Sequence, residues 1–240
     1  MMSRVAILVR GYSKNEAELA SDKEYISHYI TFLQSTAGGG WEDDEILIFE
    51  EPTLAQLEEV IELILPEFVL LIMIGHGATQ EFFQLFQINE NTIIQAGQLA
   101  LDVNKQLVIL ESCRTRINNI TTVDLADRIP QFKYGGVVRA PISLAESRDM
   151  YKNIIAECPN GLVVCYACGE DQVASSYFFS RALLFIAFEW HLVAHAQYFP
   201  ITNLMPIVRS RVENSTKRNK NIQSPSKSGD IPFPFAISKF

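Results

Sequence analysis

The chain has 240 residues, 48% of them hydrophobic, which suits one large domain, or two at most, with a sizeable core. A net charge of −8 repels a phosphate backbone over most of the surface, which argues against nucleic-acid binding as the main task. The first apolar run, in MMSRVAILVRGYS, ends at Arg10, too short for a secretory core, and no window approaches a membrane span, so a soluble cytoplasmic protein with no membrane partner is expected.

RVAILVRG is aliphatic, β-branched and closed by Gly11, which predicts a buried strand. NEAELASDKEYISHYITFLQS then places Leu19, Tyr25, Ile26, Tyr29, Ile30 and Leu33 at helical spacing, and AGGG at 37–40 ends that helix. EILIFEE predicts a second strand. TLAQLEEVIELILPE predicts a second helix, with Thr53 as its N-cap and Pro66 near its end. FVLLIMIGHG is apolar without a break, as in a strand covered on both faces. A polar-aromatic segment follows, and then LVILESCRTR from Leu107 as a fourth strand. GLVVCYAC from Gly161 is a fifth. SYFFSRALLFIAFEWHLVAHA and LMPIVRSRVEN read as helices, STKRNKNIQSPSKSGD as a polar loop, and IPFPFAISKF as an extended segment, since its prolines exclude a helix. The least patterned stretch runs from Arg114 to Asn160.

Strand and helix alternate regularly. The expected fold is therefore α/β, a three-layer α/β/α sandwich around a mainly parallel sheet, with the ligand crevice at the carboxyl ends of the strands. GHGA follows the third strand and ESCR ends the fourth, so His76 and Cys113 fall at one sheet edge. A thiol becomes a good nucleophile only as the thiolate, and a nearby imidazole can take its proton and return it to a leaving amine. Gly77 would let a substrate approach the backbone and direct an N–H at a developing oxyanion.

The other candidates are weaker. Cys165 and Cys168, with His191 and His195 at i, i+4, could supply zinc ligands, but Cys165 sits inside an apolar run and reads as a small core hydrophobe. The same burial argues against dithiol redox chemistry at CYAC. Four cysteines in a chain with no export signal are not expected to form disulfides.

LLIMIGHGA and LVILESCRT resemble the His-Gly and nucleophile strands of the caspase-like cysteine peptidases, the group of caspases, paracaspases, metacaspases and bacterial relatives. ESCRT lies between the caspase form Q-A-C-R-G and the metacaspase form D-S-C. LASDKEYISHYITFL, EEPTLAQLEEVI, YACGEDQVASSYFFSRALL and QSPSKSGDIPFPFAIS extend the resemblance over nearly the whole chain.

The resemblance implies a six-stranded sheet in one peptidase domain over 1–240, with a large-subunit-like part at 1–135 and a small-subunit-like part at 136–240. It implies Cys113 as nucleophile, His76 as acid/base, and the N–H groups of Gly77 and Cys113 as the oxyanion hole. Asp22 and Glu170, with Asp171 beside it, match acidic pocket positions, which implies cleavage of a protein or peptide substrate after Arg or Lys. Glu111 stands where the family has Gln or Asp, and Thr115 where caspases have Gly. No cofactor is expected. Some metacaspases depend on calcium, but WEDDE at 41–45 reads as a solvated loop and offers no metal cluster. A regulatory partner or activator is compatible with the family. Arg139 and Arg148 lie in the poorly patterned region and are the expected sites of any self-processing. The alternative is a catalytically silent scaffold of the same fold.

Overall fold

A computed structural model describes residues 3–81, 83–114, 142–174, 178–217 and 222–239. The main sheet uses β1 (Arg4–Arg10), β2 (Ile46–Glu50), β3 (Phe68–Ile74), β7 (Lys105–Glu111), β8 (Gly161–Tyr166) and β10 (Ser226–Ser228) in the order β10-β8-β7-β3-β1-β2. Among the described residues five strands of this sheet are parallel and β10 runs antiparallel, against β8. Between β3 and β7 the chain forms a separate antiparallel sheet of β4 (Gly77–Gln80), β5 (Phe83–Asn89) and β6 (Thr92–Gln95). A two-stranded ladder joins β9 (Tyr198–Pro200) to β11 (Pro234–Ile237).

Alternation along each strand assigns its side chains to two cores. Ala6 and Leu8 on β1, Phe68, Leu70 and Ile72 on β3, and Leu107 and Ile109 on β7 face one core. Four helices cover it: α1 (Glu16–Gln34), α3 (Leu144–Glu157), α4 (Phe178–Val193) and α5 (Ile201–Thr216). Val5, Ile7, Val9, Val69, Leu71, Met73, Val108 and Leu110 face the other core. Its cover is α2 (Leu54–Ile64), through Leu57 and Ile61, together with Phe86, Ile88 and Ile94 of the small sheet. The three layers are those expected from the sequence, but the second outer layer is part helix and part sheet among the described residues.

Local chemistry fixes the element ends. Asn15 caps α1 by accepting from Glu18 N, and Thr53 and Gln56 form a reciprocal capping box at α2. Helix α3 has no basic residue in its last turn. Instead the buried Lys105 of β7 donates to Ile155 O at 2.7 Å and Ala156 O at 3.0 Å, satisfying carbonyls that the helix leaves orphaned.

Three expectations need correction. Ser226–Ser228, read as loop, is an edge strand, because its pairing uses only main-chain groups against Val164–Tyr166. The acids at 41–45 are not all solvated: Glu45 is nearly buried and joined to Arg4 at 2.8 Å and Lys152 at 2.8 Å. Arg148 belongs to no irregular segment. It lies in α3, donates to Gly40 O at 2.9 Å and pairs with Glu42 at 2.7 Å. Arg139 and the boundary at 135 lie outside the described residues. No described helix is long and apolar enough to cross a membrane.

Candidate active site

Parallel pairing of β3 with β7 sets the candidate dyad in register. Ile74 is opposite Glu111, and His76 and Cys113 each stand two residues beyond that pair at the carboxyl edge. Gly11 N donates to Ile74 O, and Gly75 N donates to Glu111 O at 3.2 Å, so the three strand ends are tied together. Gly77 packs directly against the thiol loop. A Cβ there would lie 2.6 Å from Ser112 Oγ and 2.8 Å from Cys113 O, so a side chain would push the thiol loop away. Gln87 N donates to His76 O at 2.9 Å, which makes Gly77–Phe86 a non-hydrogen-bonded pair and turns the Gly77 N–H away from β5.

His76 Nε2 lies 3.0 Å from Glu18 Oε2. The same oxygen accepts from Lys14 N at 2.8 Å. Burial alone would raise the Glu18 carboxyl, but the Lys14 N–H and the imidazole outweigh it and hold the group below its ordinary value. An ionised carboxylate only accepts, so Nε2 carries the hydrogen and Nδ1 is the ring's basic nitrogen. The Tyr12 ring lies 6.4 Å from the imidazole, centroid to centroid.

Cys113 Sγ donates to Ala174 O at 3.6 Å and is partly buried. Burial raises its pKa; a backbone hydrogen bond at Ala174 and the nearby Lys14 charge oppose this. The resting sulfur is therefore a thiol, and among the described residues it is not hydrogen-bonded to His76. Two neighbours fix its loop. From the small sheet, Gln84 Nε2 donates to Cys113 O at 3.0 Å, and Thr79 Oγ1 donates to Arg114 O at 2.8 Å. From the loop after β8, Arg114 N donates to Gln172 O at 2.9 Å, and Asp171 N donates back to Arg114 O at 3.0 Å.

The acidic residues divide differently from the expectation. Asp22 is buried and accepts from Ser13 Oγ at 2.7 Å. Among the described residues its charge acts on Glu111, whose carboxyl group accepts from Ser180 Oγ and, at 3.5 Å, from Ser180 N. Tyr29 Oη lies 2.8 Å from Ser180 Oγ and completes the chain. Burial pushes Glu111 up to about 7, against the Ser180 bonds and with the Asp22 charge adding to the rise. Glu170 is exposed and lies 3.6 Å from the Arg114 guanidinium; Asp171 is exposed, in the left-handed region. The structure thus gathers His76, Gly77 and Cys113 with Asp22 nearby, and leaves Glu170 and Asp171 on the outer loop.

Glu18, Gln84, Thr79 and Ser180 were not singled out from sequence, and Glu111 was noted only for standing where the family has Gln or Asp. Only Glu111 carried a signal, being the polar end of an apolar strand. The cysteines of CYAC behave as core residues: burial raises Cys165 to about 12 and Cys168 well above its ordinary value, and neither makes a ready thiolate.

The fold is caspase-like. Solved caspase structures match nearly the whole chain: caspase-1 from Spodoptera frugiperda at TM-score 0.50 and 12% identity, over 95% of this chain and 86% of that one. Pro-Sf-caspase-1 matches at 0.51 and 11%, over 100% and 94%, and the Drosophila initiator caspase Dronc at 0.51 and 8%, over 97% and 80%. No family model and no curated protein matches the sequence. At this identity the likeness is one of fold.

Proposed function

We propose that the protein is a cysteine endopeptidase with Cys113 as nucleophile and His76 as acid/base, cleaving after Arg and less well after Lys. The observation that carries this is that His76 and Cys113 each follow the end of one of two adjacent parallel strands, two residues beyond the Ile74–Glu111 pair, with Gly77 packed against the thiol loop. In the reaction, His76 Nδ1 takes the Sγ proton as sulfur adds to the scissile carbonyl. Gly77 N–H and Cys113 N–H face the oxyanion. His76 returns the proton to the leaving amine as the C–N bond breaks. Water, deprotonated by the same nitrogen, then hydrolyses the acyl-enzyme.

The specificity reading rests on acids at the same edge. Asp22 and Glu111 are buried acidic groups close enough for the Asp22 charge to act on Glu111, and a guanidinium bound at this edge carries the charge opposite to both. In the resting structure Ser180 occupies Glu111, so substrate binding has to release that bond at the first turn of α4. Glu170 and Asp171, on the rim, contribute charge at the approach. This closed state, together with a resting thiol, supports activation by a ligand or partner, and no cofactor enters the chemistry.

The catalytically silent scaffold has one observation in its favour, the absence of a hydrogen bond between the two dyad residues. Resting hydrolases commonly show loose dyads, so the peptidase reading is preferred. A peptide-library cleavage profile of wild type beside Cys113→Ala tests it. Arg-directed cleavage lost in the variant supports the proposal. Cleavage after Asp overturns the pocket, and no cleavage with no selective alkylation of Cys113 favours the scaffold. Asp22→Asn should cost on the order of 1–3 kcal/mol of transition-state binding for Arg substrates.

A further inference from the structure

We propose that Glu18 is the positioning residue of His76, an anionic third member that selects the tautomer of the ring and balances the imidazolium formed when Cys113 gives up its proton. The inference rests on the dyad reading above.

The geometry is specific. Glu18 lies in the first turn of α1, with Asn15 capping that turn through Glu18 N. One carboxylate oxygen, Oε2, holds both Lys14 N at 2.8 Å and His76 Nε2 at 3.0 Å. The backbone bond immobilises the carboxylate, and the immobilised carboxylate fixes the ring. The His76 carbonyl is held separately by Gln87 N, so the side chain and main chain of His76 are anchored from different elements. Among the described residues, Lys14 from the segment between β1 and α1 acts on both Glu18 and Cys113, the Tyr12 ring faces the imidazole, and Cys113 is in turn close to Cys168, beside Arg114. Lys14 favours both anions, Glu18 carboxylate and Cys113 thiolate. Glu18 is the carboxylate hydrogen-bonded to the imidazole.

The chemistry demands such a group. A buried thiol does not ionise unaided, so its proton must move to Nδ1. That transfer creates a cation on His76, stabilised at the far nitrogen by an acceptor of negative charge. Glu18→Gln keeps an oxygen that can accept from Lys14 N and His76 Nε2 but removes the charge, so it separates electrostatics from support of the loop.

The test measures peptide cleavage and the rate of Cys113 alkylation by iodoacetamide from pH 6 to 10, in wild type, Glu18→Gln, Glu18→Asp and His76→Ala. Glu18→Gln should lower kcat and the alkylation rate roughly tenfold at pH 7, with KM unchanged, as expected for loss of a partly exposed partner of a catalytic histidine. The gap should close toward pH 10, where the thiolate forms without help from the imidazole. Glu18→Asp should recover part of the loss, and the Tm of Glu18→Gln should match wild type. Rates equal to wild type at all pH values overturn the inference. So does a loss that is the same at every pH, which marks Glu18 as structural, or a gain, which marks it as a restraint that keeps His76 from the thiol. Full alkylation and cleavage in His76→Ala would instead remove the dyad itself, a failure visible without any change at Glu18.

Discussion

Glu111→Gln isolates the cost of holding an acid inside the sheet edge. Glu111 is buried, and its carboxyl rises from an ordinary 4.5 to about 7. Each pKa unit is worth about 1.4 kcal/mol, so keeping Glu111 ionised costs the folded state roughly 3 kcal/mol. Between 4.5 and about 7 the folded protein holds a proton that the unfolded chain has released. Stability therefore falls as pH rises through that window, and the loss is complete above it. Urea unfolding at pH 4.5, 6, 7 and 8 measures this. The amide changes packing by an amount independent of pH, so the informative quantity is the difference in slope: the variant should gain about 3 kcal/mol on wild type between pH 4.5 and 8. Asp22→Asn should shrink the window from its upper end, because the Asp22 charge contributes to the rise. Parallel pH profiles for wild type and Glu111→Gln would refute the reasoning and mean that Ser180 and solvent stabilise the anion fully.

Cys113→Ala and His76→Ala should each abolish peptide cleavage while leaving the urea midpoint near wild type, since both lie past the strand ends; activity of a purified variant decides. Gly77→Ala should cut turnover sharply and cost about 1–3 kcal/mol, because its methyl would meet Ser112 Oγ and Cys113 O; a fully active variant would discount that approach. Glu45 is held at about 2, because bonds from Arg4, Lys152 and Glu42 N outweigh its burial. Its stabilisation is complete above 4.5 and lost as pH falls through 2, so Glu45→Gln should flatten acid unfolding over that range in a circular-dichroism titration. Arg4→Ala should be more disruptive, about 3–5 kcal/mol by thermal melts, because it removes the guanidinium packed on Trp41 and Tyr151 and leaves Glu45 with Lys152 as its remaining cation.

The main-sheet strands that form apolar runs could be read from sequence, since FVLLIMI, LVILE and RVAILVR leave little choice about where the sheet lies. With those strands parallel, the carboxyl-edge positions of His76 and Cys113 followed. Three short strands at 77–95 were missed because their alternation is brief and interrupted by Gln, Asn and Thr. Ser226–Ser228 carries no side-chain signal at all, as edge pairing is a main-chain property. The acidic cluster was only partly legible. Asp22 sits within helical spacing, but its proximity to Glu111 depends on how α1 packs over the sheet, and nothing in a linear pattern reports that packing. Glu18 looked like an ordinary first-turn acid, which is also what it is.

The thiol loop also bears on the order in which the molecule assembles. Its anchors reach across long stretches of chain: Gln84 to Cys113 over 29 residues, Thr79 to Arg114 over 35, Cys168 to Ser112 over 56, and Cys113 to Ala174 over 61. None is local, so each contact pays loop-closure entropy before it contributes anything. The loop therefore acquires its shape only after the strands on both sides of β7 have docked. Hydrogen-exchange protection of the Arg114 N–H, which donates to Gln172 O, followed during refolding, becomes a clock for the last step of folding, and protection that precedes docking of β8 would reverse that order.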